Sequence, residues 1–397
     1  MRHAAAAEQS LRIAAVRTTP PGSRSRGLSG SRLRDTTCSP PLGSLCPLVA
    51  LGARHRKPPP HKMSVESLRA KLMDQSLGMP RRFRALFGLR SVGGDASVSA
   101  LLASLEDPSA LFKHEVAFAL GQMQAVGAVG TLTQILNDDN EHSMVRHEAA
   151  EALGAIASDE CLEALEIAST DESQVVRETA VLALQRFRYA QEMRNSGETN
   201  EAKNIDSAKN LGSAKEKLSA GTKEHTQTGE DPDSPYISVD PVPAASTDIP
   251  VEELKVTVVD ESKPLWDRYA AMFALRNRGE AGEVASILGQ VLVTSKSALL
   301  KHEVCYVLGQ IQEQGEGARV ALTKTLEDKN EHPMVRHEAA EAIGSIAALD
   351  TEQLLKTYQQ DPDRIVAESC EVALDIMESE INGEFVPLVV EPKAAEA

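Results

Sequence analysis

Residues 140–157 read NEHSMVRHEAAEALGAIA and residues 330–347 read NEHPMVRHEAAEAIGSIA, identical at 15 of 18 positions. In the first copy Val145, Ala149, Ala152, Leu153 and Ile156 fall on one stripe at the helical period. A second match lies upstream of each copy: KHEVAFALGQMQ (113–124) and KHEVCYVLGQIQ (301–312) agree at 8 of 12 positions. Further out, RALFGLR (84–90) pairs with AMFALR (271–276), and VVRETAVLAL (175–184) with IVAESCEVAL (365–374). Acidic turns close the units at Glu106-Asp107-Pro108, Asp138-Asp139-Asn140 and Asp171-Glu172. The His-Glu dipeptides inside the matches are 33 residues apart in the first half and 35 in the second. Helix pairs recurring at about 30–45 residues stack into a solenoid, because no single pair can bury its apolar face alone.

The pattern V-R-x-x-A-A-x-A-L-G-x-I resembles HEAT-like repeats. The expected fold is therefore all-α: an α-solenoid of HEAT-like helical-hairpin repeats in two pseudo-symmetric halves of about four repeats each. Residues 1–62 hold 11 Lys+Arg and 2 Asp+Glu, a net of +9, with no lasting period. We read them as a disordered basic extension ahead of Met63; the composition also matches an organelle transit peptide. The halves span 63–190 and 251–385. Between them, 191–250 is polar and nearly free of large apolar residues, which reads as a flexible linker. Its stretch Tyr236–Pro243 is more apolar and is placed to dock on a neighbour. Residues 386–397 form a tail.

Composition excludes several classes. Outside the basic extension the net charge is −25, which repels polyanions and attracts cationic partners, so no nucleic acid is expected. Aromatic residues are 3% of the chain, too few for base-stacking platforms. The longest nearly apolar run, Leu42 to Ala53, is too short to span a membrane, and none is expected as a partner. The cysteines Cys38, Cys46, Cys161, Cys305 and Cys370 form no C-x-x-C and suit a reducing compartment, the cytoplasm in this reading. A monomer is expected.

Chemistry concentrates in four His-Glu pairs: His114-Glu115, His147-Glu148, His302-Glu303 and His337-Glu338. They occupy one place in four repeats. The first and fourth repeats of each half lack the pair; the fourth carries Arg177-Glu178 and Ala367-Glu368 there. A solenoid stripe needs no histidine at these positions, and helix propensity does not favour it. Successive inner helices stack about 9–10 Å apart, so imidazoles one repeat apart can reach a shared point. Each adjacent Glu lies about 100° further round its helix. If the halves face each other, eight groups converge on one cavity that suits two metal ions. Imidazole plus carboxylate without thiolate favours iron or manganese over structural zinc. HEAAE at 147–151 ends in Glu151 where a zinc peptidase needs His. Glu151 and Glu341, one turn after His147 and His337, fit either as acceptors orienting those rings or as exposed i,i+4 contacts. Arg146 and Arg336 read as struts between repeats. A non-catalytic HEAT scaffold and a binuclear metallohydrolase remain open from the residues alone.

Two halves that each carry KHE and then NEH-x-MVRHEAAEA resemble the deoxyhypusine hydroxylases over about residues 63–385, apart from the 191–250 segment. The departures are the N-terminal extension, the long linker and two extra residues between His302 and His337. The resemblance implies a non-haem diiron monooxygenase with two Fe2+ per chain. It implies that dioxygen and an external reductant hydroxylate the deoxyhypusine side chain of a translation factor. It also implies metal ligands at His114, Glu115, His147, Glu148, His302, Glu303, His337 and Glu338. Among these, Glu115 and Glu303 are expected to act in catalysis by facing the substrate amine, with Glu148 and Glu338 the firmer ligands.

Overall fold

Each repeat runs out along one helix, reverses at a turn and returns along a second, more buried helix. The computed structural model describes residues 64–208, 234, 236, 238–313 and 315–382. The first half holds α1 (Val65–Met73), α2 (Met79–Val92), α3 (Gly94–Ala103), α4 (Ala110–Gln122), α5 (Val129–Leu136), α6 (Ser143–Ile156), α7 (Leu162–Ala168) and α8 (Gln174–Ala208). The second holds α9 (Val251–Val259), α10 (Leu265–Arg278), α11 (Ala281–Thr294), α12 (Ala298–Ile311), α13 (Glu316–Glu327), α14 (Pro333–Ile346), α15 (Glu352–Tyr358) and α16 (Arg364–Asn382). No described residue is in a β-strand, and no described helix is long and apolar enough to cross a membrane. The all-helical repeat architecture is as expected. The assignments to residues 1–62 and 386–397 lie outside the described residues.

The acidic turns do two jobs. Asp138 and Asp328 accept from the backbone N–H of Asn140 and Asn330 at 3.0 and 2.9 Å, closing Asx turns. Asp107, Asp171 and Asp361 accept from their own turns and from an arginine of the preceding repeat. Arg146 donates Nε to the Leu136 carbonyl and Nη2 to Asp171; Arg336 does the same to Leu326 and, at 2.6 Å, to Asp361. The two arginines are inter-repeat struts, each tying three backbone segments together through a planar fork.

The five stripe residues of α6 are buried, but so are Arg146, His147, Glu148 and nearly every other residue of that helix. The stripe reading missed this because it assumed one wet face. Here α6 lies between its neighbours α4 and α8 and its outer helix α5, and its His147 ring meets His302 of the opposite half. The solenoid closes on itself: α16 packs on α2 and α4, and α8 packs on α10 and α12. Two seams therefore join the halves.

One seam carries the connecting chain. The α8 helix continues to Ala208, inside the stretch read as linker. From Ser238 to Pro250 the chain is ordered as a strap across both halves. Val239 exchanges two hydrogen bonds with the Gln122 side chain of the first half, at 2.8 and 2.9 Å. Asp240 accepts from both terminal nitrogens of Arg276, and Ser238 accepts from Gln310, both in the second half. Val242 is fully buried. The docking expected of the more apolar stretch Tyr236–Pro243 is seen here; what the sequence does not show is its partners, polar residues remote in the chain.

Candidate metal centre

The four His-Glu pairs lie on α4, α6, α12 and α14, two helices from each half. What holds these helices in phase is local. The side chains of His142 and His332 cap α6 and α14, accepting from the N–H of Met144 and Met334 at 3.2 Å. Ser109 and Ser297 cap α4 and α12 in the same way, accepting from Phe112 and Leu300 at 3.1 Å. Seven residues after each histidine stands a glycine. A Cβ on Gly121 or Gly154 would meet the Cα of Ala152 or Ala183 at 2.8 and 2.9 Å, so these helices approach closely because the glycines have no side chain.

The imidazoles converge. Ring centroids are 5.3 Å apart for His114–His147 and for His302–His337, within the halves. Across the halves they are 5.2 Å for His114–His337 and 5.4 Å for His147–His302. One diagonal, His114–His302, is 5.9 Å. The four rings thus form a closed quadrilateral of near-equal sides, drawn in along the His114–His302 diagonal, with a relative exposure of 0% each. The carboxylates follow the same two-fold pattern. Glu148 Oε2 lies 3.3 Å from His114 Nε2, and Glu338 Oε2 lies 3.7 Å from His302 Nε2, so in each half the later Glu faces the earlier His. Glu115 and Glu303 are equally buried, with Glu115 Oε1 at 3.4 Å from His114 Nδ1.

Three sets of donors lie within 4.8 Å of one another: His114, His147 and His302; His302, His337 and Glu338; and His147, Glu148 and Glu151. The first set mixes the halves, so this is one centre rather than two separate ones. Glu115 and Glu303 belong to none of the three. Glu151 reaches the centre, and Glu341, fully buried, stands 3.7 Å from His337 Nδ1. Sequence spacing put both acids one turn from a histidine; only the packing decides that they face inward.

The donor set fits metal ions. Burial pushes the His114 imidazole well below its ordinary pKa, helped by the fields of His337, His147 and His302. A neutral ring keeps a lone pair free for a cation. Four carboxylates buried beside four imidazoles call for compensating positive charge, which divalent ions supply. No cysteine joins the three donor sets, although Cys305 is buried one turn after His302 on α12. Imidazole and carboxylate alone suit iron or manganese.

Comparison with known proteins agrees with this geometry. The family described as HEAT repeats matches residues 83–185 and 265–375. Deoxyhypusine hydroxylase-B of Oryza sativa subsp. japonica is 42% identical over 314 residues, covering 79% of this chain and 92% of that protein. Deoxyhypusine hydroxylase of Homo sapiens is 40% identical over 324 residues, covering 82% of this chain and 94% of that protein. A solved structure of human deoxyhypusine hydroxylase in complex with glycerol superimposes with a TM-score of 0.66 at 40% identity, covering 79% of this chain and 96% of that one.

Proposed function

This chain belongs to the deoxyhypusine hydroxylase family, and we propose that it hydroxylates the deoxyhypusine side chain of a translation factor to hypusine, using two iron ions held by its His-Glu pairs. The supporting observation is the cluster of four fully buried imidazoles, two from each half at near-equal spacing, with carboxylates in two-fold positions. His114, His147, His302 and His337, with Glu148 and Glu338, would hold the ions. Bound iron would supply dioxygen binding and the capacity to exchange electrons with an external reductant. One oxygen atom ends in the new C–O bond and the other leaves as water, with two electrons and two protons coming from the reductant and solvent.

The chain's own residues set the conditions. Burial excludes bulk water from the reacting centre, which strengthens each electrostatic contact inside it. Glu115 and Glu303 stand outside the close donor sets yet inside the same buried volume. We assign their carboxylates to take the substrate's ammonium groups and so to present one carbon of its amine chain. The acidic body outside the extension draws in a basic substrate loop. We place the protein in the cytoplasm, as a monomer. Cys161, Cys305 and Cys370 are buried and form no disulfide among the described residues, in keeping with a reducing compartment.

Metal analysis with a visible spectrum of the purified protein tests the reading, together with mass spectrometry of a deoxyhypusine-bearing substrate after incubation. Two irons per chain and a gain of one oxygen atom are expected. A metal-free chain points to a scaffold, and a zinc-loaded one without oxygen transfer to a hydrolase. His147→Ala should lose iron, whereas Glu115→Ala and Glu303→Ala should keep it and raise KM by about tenfold or more, the scale of one lost charged hydrogen bond. Equal iron loss in all three variants would overturn the division of roles.

A further inference from the structure

The fourth repeat of each half has a glutamate at the position that carries Glu148 and Glu338 in the third: Glu178 on α8 and Glu368 on α16. Neither points at the centre. Glu368 Oε2 accepts from Ser109 Oγ at 2.6 Å, and Glu178 Oε2 accepts from Ser297 Oγ at 2.7 Å. Both contacts cross between the halves. The other oxygen of each is held by its own helix, from Arg364 Nε and Gln174 Nε2, both at 2.7 Å. Each carboxylate is thus fixed on one side and grips the other half with the other.

The gripped hydroxyls are the caps of α4 and α12. His114-Glu115 and His302-Glu303 begin five residues further along those helices. The same seam helices also hold the second site helix of their own half by backbone-close packing. On α16, Ala373 leaves no room for a Cβ on Gly344 of α14; on α8, Ala183 does the same to Gly154 of α6. So α16 ties α14 to α4, and α8 ties α6 to α12. These are the two cross-half pairs whose rings stand 5.2 and 5.4 Å apart.

We propose that Glu178 and Glu368 are positioning residues of the metal centre, registering the first His-Glu helix of each half against the second His-Glu helix of the other through the capping hydroxyls of Ser297 and Ser109. The inference rests on the metal reading of the four pairs. A helix is stiff along its axis, so fixing its first turn fixes the histidine one turn later. Loss of the contact leaves the cap intact and lets the two helices slide.

Anaerobic ferrous-ion affinity, by competition with a chromophoric chelator, tests this beside amide exchange of the metal-free protein. Glu178→Ala and Glu368→Ala should each weaken iron binding by about 10–100-fold, the scale for residues that orient metal ligands. Glu178→Gln and Glu368→Gln keep an oxygen acceptor and should stay within about twofold of wild type. Ser297→Asp keeps the cap but sets carboxylate against carboxylate, and should weaken iron as Glu178→Ala does; adding Glu178→Gln to it should restore affinity. In the metal-free protein, amides of 300–303 should exchange faster in Glu178→Ala and not in Glu178→Gln. A purely structural contact would lower Tm while leaving iron affinity and this exchange pattern unchanged, and that result overturns the proposal. If wild type takes up no iron, the functional reading fails, and the exchange comparison still decides whether the contact registers α12.

Discussion

Gly344 and Gly309 occupy equivalent positions, seven residues after His337 and His302, yet their surroundings differ. A Cβ at Gly344 would sit 2.5 Å from the Ala373 carbonyl oxygen and 2.8 Å from its Cα, all backbone of α16. At Gly309 the nearest atoms, the Cα and Cβ of Ala342, would be 3.2 and 3.4 Å away. Alanine is favoured over glycine in a helix by about 1 kcal/mol, and overpacking costs about 1–3 kcal/mol. Gly344→Ala is therefore expected to destabilise by up to roughly 2 kcal/mol and to loosen metal binding, because α14 must retreat from α16. Gly309→Ala is expected to be near neutral. Thermal unfolding of the two variants checks the contrast; equal shifts would show that the approach of α14 to α16 is not tight.

At the scale of elements, the helices bearing the four pairs end unusually. Ala157 and Ala347, at the ends of α6 and α14, have φ of 50° and 55°, and Gln124 and Gln312, just past α4 and α12, have 48° and 52°. This left-handed region costs a residue with a Cβ about 1–2 kcal/mol. Glycine would remove that cost but gain about 0.5–1 kcal/mol of unfolded-state freedom. Ala347→Gly should thus stabilise by about 0.5–1 kcal/mol. Gln312→Gly should not, because the Gln312 side chain donates to the Ser345 carbonyl of α14 at 2.9 Å and that bond would be lost. Denaturant midpoints of the two variants separate these cases.

The same helices mark how far sequence reasoning reaches. The repeat architecture and the candidate donors are legible because duplication prints each of them twice: a His-Glu pair at one repeat position four times over is hard to assign to a solvated face. Glu151 and Glu341 are not legible to that degree. A carboxylate at i+4 faces water or a ring depending on what lies opposite, and the opposite half is not written beside it. Glu178 and Glu368 look like ordinary helix-surface acids until Ser297 and Ser109, 119 and 259 residues away, come into contact with them. The strap is legible as an apolar stretch placed to dock, Tyr236–Pro243, but its partners are not, since Gln122, Arg276 and Gln310 reach it from three different helices.

For the molecule as a whole, charge governs encounter while the buried centre governs chemistry. A net of −25 outside the basic extension acts over about 10 Å at 0.1 M salt and about 3 Å at 1 M. Raising ionic strength across that range should raise KM for a basic protein substrate several-fold and leave kcat nearly unchanged. A short peptide with a neutral flank should respond less. A flat KM would mean that docking rests on contacts other than long-range attraction.

The two seams share one further property. Ser109 meets Glu368 and Ser297 meets Glu178, but Ser109 and Glu178 belong to the same half, and so do Ser297 and Glu368. Either half therefore carries both the donor and the acceptor that a seam requires. Such a surface is self-complementary, as in an isologous homodimer, where one patch meets its own copy about a two-fold axis. Fusing the two copies into one polypeptide makes their association independent of dilution, at the effective molarity of a tether. It also lets the two seams differ: one carries the pair of Arg84 with Asp375, the other the strap of Ser238–Pro250.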